Sequence, residues 1–290
     1  MTQDARPTPP LDFLAVGHIC RDLLPGGEWV VGGAAAYGGL TARALGCRTG
    51  VVTSAAAADD WSAAFPDLAI AQIAAPATTT FENVYTPGGR VQTLHAVAGP
   101  IRAEHVPPLW ARARMVLLGP IAGEVDPALI HLFSDSIVGV APQGWLRGWD
   151  EHGRIYPIAW ESATAVLPLA AVTFLSEEDL TDPTALDAYR RLAGILVLTH
   201  GARGCTVFCR DEARSFPAPA VDAVDPTGAG DIFAAAYLVR FHQTDGNLWA
   251  AAEFANHVAA HAITGRGLLP KMRIIRQIID ELTHVSGGGR

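Results

Sequence analysis

Val224-Asp225-Pro226-Thr227-Gly228-Ala229-Gly230-Asp231 runs directly into the small and apolar stretch Ile232-Phe233-Ala234-Ala235-Ala236-Tyr237. Asp225 and Pro226 break the preceding segment, and Gly228 and Gly230 let the backbone fold tightly. From Asp231 onward the chain reads as a helix. Glycines at a helix start expose unpaired N–H groups, and the helix dipole makes that end attractive to anions. A carboxylate beside such an anion hole has one plausible task. It takes a proton from a hydroxyl while the amides neutralise the phosphoryl group being attacked. A bare Gly-Ala-Gly-Asp is equally an ordinary turn before a helix, so the rest of the chain has to decide.

Composition sets the bounds. The chain has 290 residues, half of them hydrophobic and 17% charged, which is ample for a large core and argues against disorder. A formal net charge of −8 makes a nucleic-acid backbone an unsuitable partner, although a nucleotide needs only a local anion site. Cys20, Cys47, Cys205 and Cys209 form no Cys-x-x-Cys pair, so neither zinc nor a disulfide framework is indicated. Free thiols suit a cytoplasmic location. Residues 1–10 are polar and Pro-rich without the apolar core of a signal peptide, and are expected to be a disordered lead-in. No run reaches the ~20 apolar residues of a membrane span.

Leu11–Gly17 reads as a buried first strand, with Asp22 just beyond it at the edge where open α/β sheets place ligands. Glu28–Val31 is a short strand leading to Gly32-Gly33, and Ala34–Leu45 is a small-residue helix. Thr79–Tyr85 and Val91–Val97 are β-prone runs around Pro87-Gly88-Gly89, a hairpin that has to cover something or pair with another chain. Beyond Pro107-Pro108, strands are expected at Ala113–Leu118, Ile137–Val140, Ala171–Leu175 and Ile195–Thr199. Pro127 and Ser176 are expected to open helices, and Cys205–Cys209 with Ala213–Phe216 an antiparallel pair. Two helices follow Asp231, one to about His242 and one over Leu248–Ile263. Such alternation implies a mainly parallel α/β sheet flanked by helices, in one domain over residues 11–284. Segments 23–31 and 78–98 are expected to form a small β-sheet lid, a candidate homodimer contact. There is no P-loop and no first-strand Gly-x-Gly-x-x-Gly, and the histidines form no metal-ligand pattern.

The Asp-Pro-Thr-Gly-Ala-Gly-Asp string resembles the signature of the ribokinase-like, or PfkB, carbohydrate kinases, and the resemblance covers essentially Leu11 to Lys271. It implies a ribokinase-like fold and ATP-dependent phosphorylation of a small neutral sugar or polyol. Asp231 is then the catalytic base, and Gly228, Ala229 and Gly230 form the anion hole, with Gly230 expected to need a positive φ. Asp22, Gly32, Gly33 and Tyr37 fall where the family binds its acceptor. Thr199-His200-Gly201-Ala202-Arg203-Gly204 resembles the nucleotide loop, so Thr199, Gly201 and Gly204, with Thr227, Asn256 and Gly267, are implied to bind ATP. Leu175-Ser176-Glu177-Glu178-Asp179 resembles the Asn-x-x-Glu segment, which makes Asp179 a candidate to hold Mg2+ through water; a monovalent cation has a candidate place near Asp225. Gly17-x-x-Cys20-x-Asp22, Gly119–Val125 and Gln143-Gly144-x-Leu146-Arg147 look like the myo-inositol kinase branch, which favours a cyclic polyol. A nucleoside kinase of the same fold, or a silent ligand-binding or regulatory relative, is the alternative.

Overall fold

The computed structural model describes residues 10–86, 89–180 and 182–287. Phe13-Leu14-Ala15-Val16 is apolar at every position, the pattern of a strand covered on both faces, and it forms β1 (Phe13–Val16), buried throughout. The strands that follow are β2 (Cys20–Leu23), β3 (Trp29–Gly32), β4 (Thr49–Ala56), β5 (Ala69–Ala75), β6 (Thr80–Thr86) and β7 (Gly89–Ala96). Next come β8 (Met115–Leu118), β9 (Ile137–Val140), β10 (Arg147–Trp149) and β11 (Ile155–Pro157). The last four are β12 (Val172–Ser176), β13 (Ile195–Thr199), β14 (Cys205–Cys209) and β15 (Glu212–Phe216). The helices are α1 (Ala34–Ala44), the single turns α2 (Trp61–Ala64) and α3 (Ala163–Val166), α4 (Pro183–Leu192), α5 (Ala229–Gln243), α6 (Leu248–Ala262) and α7 (Leu268–Gly287).

The main sheet has the order β15-β14-β13-β12-β9-β8-β1-β4-β5. From β13 to β5 neighbouring strands run parallel, and β14 and β15 close one edge antiparallel. Alternation along β1 separates two cores. Phe13 and Ala15 face the core built with α1, α5, α6 and α7, whereas Leu14 and Val16 face Phe133, Trp145, Trp160 and Tyr189. Helix α5 is buried continuously from Ile232 to Val239. A helix that is apolar all round belongs inside, and α5 packs between α6, α1 and the strands β8 and β9. Its first turn therefore comes to a fixed place at the carboxyl edge of the sheet.

A second sheet, β3-β2-β6-β7, stands on the first. Cys20, Ala34, Phe81, Leu94, Ile121 and Ala122 form its small apolar root. Arg21 on β2 pairs with the buried Asp59 of the main body and lies 4.6 Å over the Trp29 ring. Trp29 in turn meets Trp61 edge-on at 6.3 Å. The β10–β11 hairpin joins β7 through the Leu94 amide, which donates to the Gly153 carbonyl. On the lid, Trp29, Val30, Val84 and Val91 are exposed.

Several expectations need correction. Asp22 is not in a loop beyond β1 but on β2, opposite Val30 in the lid sheet; Cys20-Arg21-Asp22-Leu23 is too short and polar to read as a strand. Pro127–Phe133 and Glu177–Asp179 are 3-10 turns, and the helix after β12 starts only at Pro183, capped by Asp182. Helix α7, unread in the sequence, follows Gly267. The lead-in at residues 1–9 and the hairpin tip at residues 87–88 lie outside the described residues. Cys20, Cys47, Cys205 and Cys209 are all free thiols. Among the described residues no helix is long and apolar enough to cross a membrane.

Candidate active site

The segments that leave the carboxyl ends of β1, β9 and β12 converge on the first turn of α5, the edge at which parallel sheets build their sites. The signature loop is held from several directions. Thr227 N donates to Asp225 Oδ1 and Gly267 N to Asp225 Oδ2, at 3.0 and 2.8 Å. The amides of Val224 and Asp225 both donate to the Ile263 carbonyl. Lys271, fully buried on α7, donates to the Thr227 carbonyl at 2.6 Å and pairs with Asp225 at 3.0 Å. Burial works against the Asp225 carboxylate, but these partners outweigh it and hold its pKa at about 2.

The loop ends in Gly228, which is left-handed at φ 75° and caps α5. A side chain there would also strike the Tyr37 ring. Gly230, by contrast, has ordinary helical backbone and open space around it, so the positive φ expected at Gly230 belongs to Gly228. Ala229 N is already spent on the Pro226 carbonyl. Among the described residues the amides of Gly228, Gly230 and Asp231 have no partner, so this helix start offers three free donors.

Asp231 stands in the first turn of α5, partly buried. Desolvation pushes its carboxyl up to about 7; Arg147 opposes that, and Asp22 and Asp179 add to it. A carboxyl that titrates near neutrality is matched to general-base work. Asp22 lies against the Cα of Gly32, where any side chain would collide with its carboxylate. Gly33 (φ 97°) turns beneath the His18 carbonyl and starts α1. Cys20 Sγ approaches Asp22 Oδ1 at 3.9 Å, and burial pushes that thiol up.

The Tyr37 ring packs behind the signature loop, with its phenol in the field of Asp22 and Asp231. Its ring is buried, backs Gly228 and has the Lys271 ammonium 5.3 Å from its centroid. Burial raises its phenol well above the usual value, and the charges of Asp225, Asp22 and Asp231 raise it further. Asp179 faces Arg147 at 3.9 Å and takes a hydrogen bond from Gln143; burial nevertheless raises its pKa. Gln143 and Arg147 belong to the Gln-Gly-x-Leu-Arg string, but neither was assigned a place in the site. Arg147 proves central, because its charge acts on both Asp179 and Asp231.

Across the main sheet, Thr199 ends β13 and donates to the Leu175 carbonyl. Gly201 and Gly204 bracket a single 3-10 turn fixed by His200 and Arg203, both bonded to Glu177. Asn256 points inward, its Nδ2 donating to the Phe216 carbonyl at 3.0 Å, so it braces β15 against α6. Gly267 spends its amide on Asp225, as described. Among the described residues no group of three or more His, Cys, Asp or Glu side chains could hold a metal alone.

Comparison with known proteins bears on the family and the fold. Residues 159–273 match the pfkB family carbohydrate kinase pattern. The chain is 29% identical to inositol 3-kinase of Oryza sativa subsp. japonica, over 96% of this chain and 77% of that one. A pyrophosphate-dependent kinase in the ribokinase family, solved with a pyrophosphate analog and myo-inositol, superposes with a TM-score of 0.76. That match has 23% identity and covers 90% of this chain and 98% of the other. The fructokinase of Xylella fastidiosa with bound ATP gives 0.72 at 19% identity, covering 94% and 99%. The shared architecture is the ribokinase fold, a large sheet flanked by helices and carrying a small separate sheet.

Proposed function

We propose that this chain, a ribokinase-like protein of the pfkB carbohydrate kinase family, transfers the γ-phosphoryl group of ATP to a hydroxyl of a small neutral polyol. One observation carries the reading: a carboxyl that titrates near neutrality stands beside the free amides at the start of α5. Ionised Asp231 takes the proton of the acceptor hydroxyl. The hydroxyl oxygen forms the new bond to phosphorus, the bond from phosphorus to the bridging oxygen breaks, and ADP leaves with that electron pair. The Gly228 and Gly230 amides, aided by the α5 dipole, stabilise the charge on the transferring group, a contribution that preorganised donors make without rearranging. Arg147 keeps a useful fraction of Asp231 ionised against the pull of its desolvated site.

On the acceptor side, the Asp22 carboxylate can accept hydrogen bonds from two neighbouring hydroxyls, which suits a polyol ring and offers a flat base little. An inositol-like ring is therefore favoured over ribose or fructose, with nucleosides last; the inositol 3-kinase relative supports this order. Thr199, Gly201, Gly204 and Thr227 would border the donor. The residues fit a magnesium ion that arrives with the donor: phosphate oxygens and water would supply most of its ligands, and Asp179 would hold it through water. There it would neutralise phosphate charge. We place the enzyme in the cytoplasm on the strength of its free thiols, and its exposed lid residues Trp29, Val30, Val84 and Val91 make self-association there a reading that light scattering can check.

The test is a product screen of myo-inositol, ribose, fructose and adenosine with ATP and, separately, with pyrophosphate. The expected result is ADP release with myo-inositol above the others. Turnover with pyrophosphate alone would remove ATP as donor, preference for adenosine would remove the polyol, and silence with every pair would favour a non-catalytic relative.

A further inference from the structure

The signature loop contains a buried cation of its own. Lys271 has no exposed surface, and its ammonium has three hydrogens to place. One goes to the Thr227 carbonyl at 2.6 Å and one to Asp225 Oδ2 at 3.0 Å, while the Tyr37 ring centroid lies 5.3 Å away. That distance is within the range of attraction between a cation and an aromatic face. The acceptors around it are committed as well: Asp225 Oδ1 takes the Thr227 amide and Oδ2 the Gly267 amide. A monovalent cation near Asp225 therefore does not fit this chain, because the carboxylate and the carbonyl that would bind it already hold the lysine.

We propose that the Lys271 ammonium is a built-in monovalent cation that holds residues 225–230 in their anion-binding shape, so that this protein needs no alkali ion. Lys271 is a positioning residue. It fixes the Thr227 carbonyl one residue before Gly228, and it faces from 5.3 Å the Tyr37 ring that backs Gly228. The free amides of the helix start are thus set by a charge tethered to α7. The advantage over a diffusible ion is that no binding equilibrium has to be met, since a tethered group is always at its site. The effect on turnover rests on the kinase reading, whereas the effect on the loop does not.

The experiment compares the wild type with Lys271→Ala and Lys271→Met in potassium, ammonium and tetramethylammonium chloride at equal ionic strength. Thermal unfolding is read first, then turnover. The wild type should show the same Tm and kcat in all three salts. Lys271→Ala, which opens space beside Asp225, should lose stability and fall in kcat on the order of 10²-fold, the size of losing one positioned donor. Ammonium or potassium should raise its Tm and recover part of its kcat, and tetramethylammonium, too large for the space, should do neither. Lys271→Met, which keeps the stem without the charge, should behave as damaged and unrescued. A wild type whose Tm rises with potassium, a Lys271→Met protein equal to wild type, or a folded Lys271→Ala that no cation rescues would each overturn the proposal. If both variants fail to fold, the wild-type salt comparison decides alone. Absence of turnover with every donor and acceptor would strike the kinase reading and leave the thermal comparison standing.

Discussion

The signature loop and the lid sheet are built on opposite plans. Residues 224–231 are tied by side chains and amides from α7, from the loop before it and from within, and they rest on a buried aromatic ring. The lid is rooted by six buried side chains and the Arg21–Asp59 pair, and it leaves Trp29, Val30, Val84 and Val91 open to solvent. On the proposed function the difference separates two jobs. Groups that stabilise developing charge are fixed before the reaction, whereas a cover that excludes water has to admit the acceptor. Asp22 belongs to both plans, since it sits on a lid strand but reaches into the field of Asp231.

Substitutions can break this contrast, and the largest effect belongs on the fixed side. Asp231→Asn should lower kcat by ~10²–10⁴, the worth of a positioned base, with donor affinity retained; near-normal turnover would remove the base assignment. Asp22→Ala is next, raising acceptor KM about tenfold to a hundredfold while leaving donor KM nearly unchanged, as expected for losing hydrogen bonds to a charged group. Equal changes in both constants would place Asp22 outside the acceptor site. Gly228→Ala and Gly230→Ala sharpen the picture within the loop. The first forces a side chain into left-handed backbone, at about 1–2 kcal/mol, and into Tyr37, so Tm should fall. The second meets open space and should keep its Tm while raising donor KM; identical melting losses would contradict the assignment of the strained position. The smallest effect is on the lid: acceptor should slow hydrogen exchange in β6 and β7 and leave β1 unchanged. Equal exchange with and without acceptor would indicate a fixed contact.

Much of this was legible because the local chemistry is one-dimensional. Glycines that start a helix, an acid in its first turn and a continuous apolar run announce α5 without any tertiary knowledge. The apolar strands β1, β8, β12 and β13 are equally plain. What escaped depends on partners distant in sequence. Lys271 lies forty-four residues after Thr227, on a helix whose start carries no signal stronger than Gly267, and only folding brings its ammonium to that carbonyl. Arg147 is visible as part of a string, but its charge gains meaning from Asp179 and Asp231, which the turn after β12 and the start of α5 deliver. Tyr37 reads in the sequence as an acceptor contact, and the sequence does not show that its ring also packs against Gly228. The bond from Asn256 Nδ2 to the Phe216 carbonyl is likewise invisible in the sequence, because its acceptor lies forty residues away.

The central claim is that Asp231 is the proton acceptor and that Arg147 sets its ionisation. The pH dependence of kcat/KM reports the pKa of the free enzyme's base, so one profile tests it directly. Desolvation holds Asp231 at about 7, and only its ionised form can accept the proton, so wild-type kcat/KM should rise with pH and level off above neutrality. Arg147 lowers that pKa, and its removal must therefore raise it. The account predicts that in Arg147→Gln the rising limb moves to higher pH. A wild-type profile flat through neutrality, or a limb that Arg147→Gln leaves in place or moves to lower pH, would contradict it.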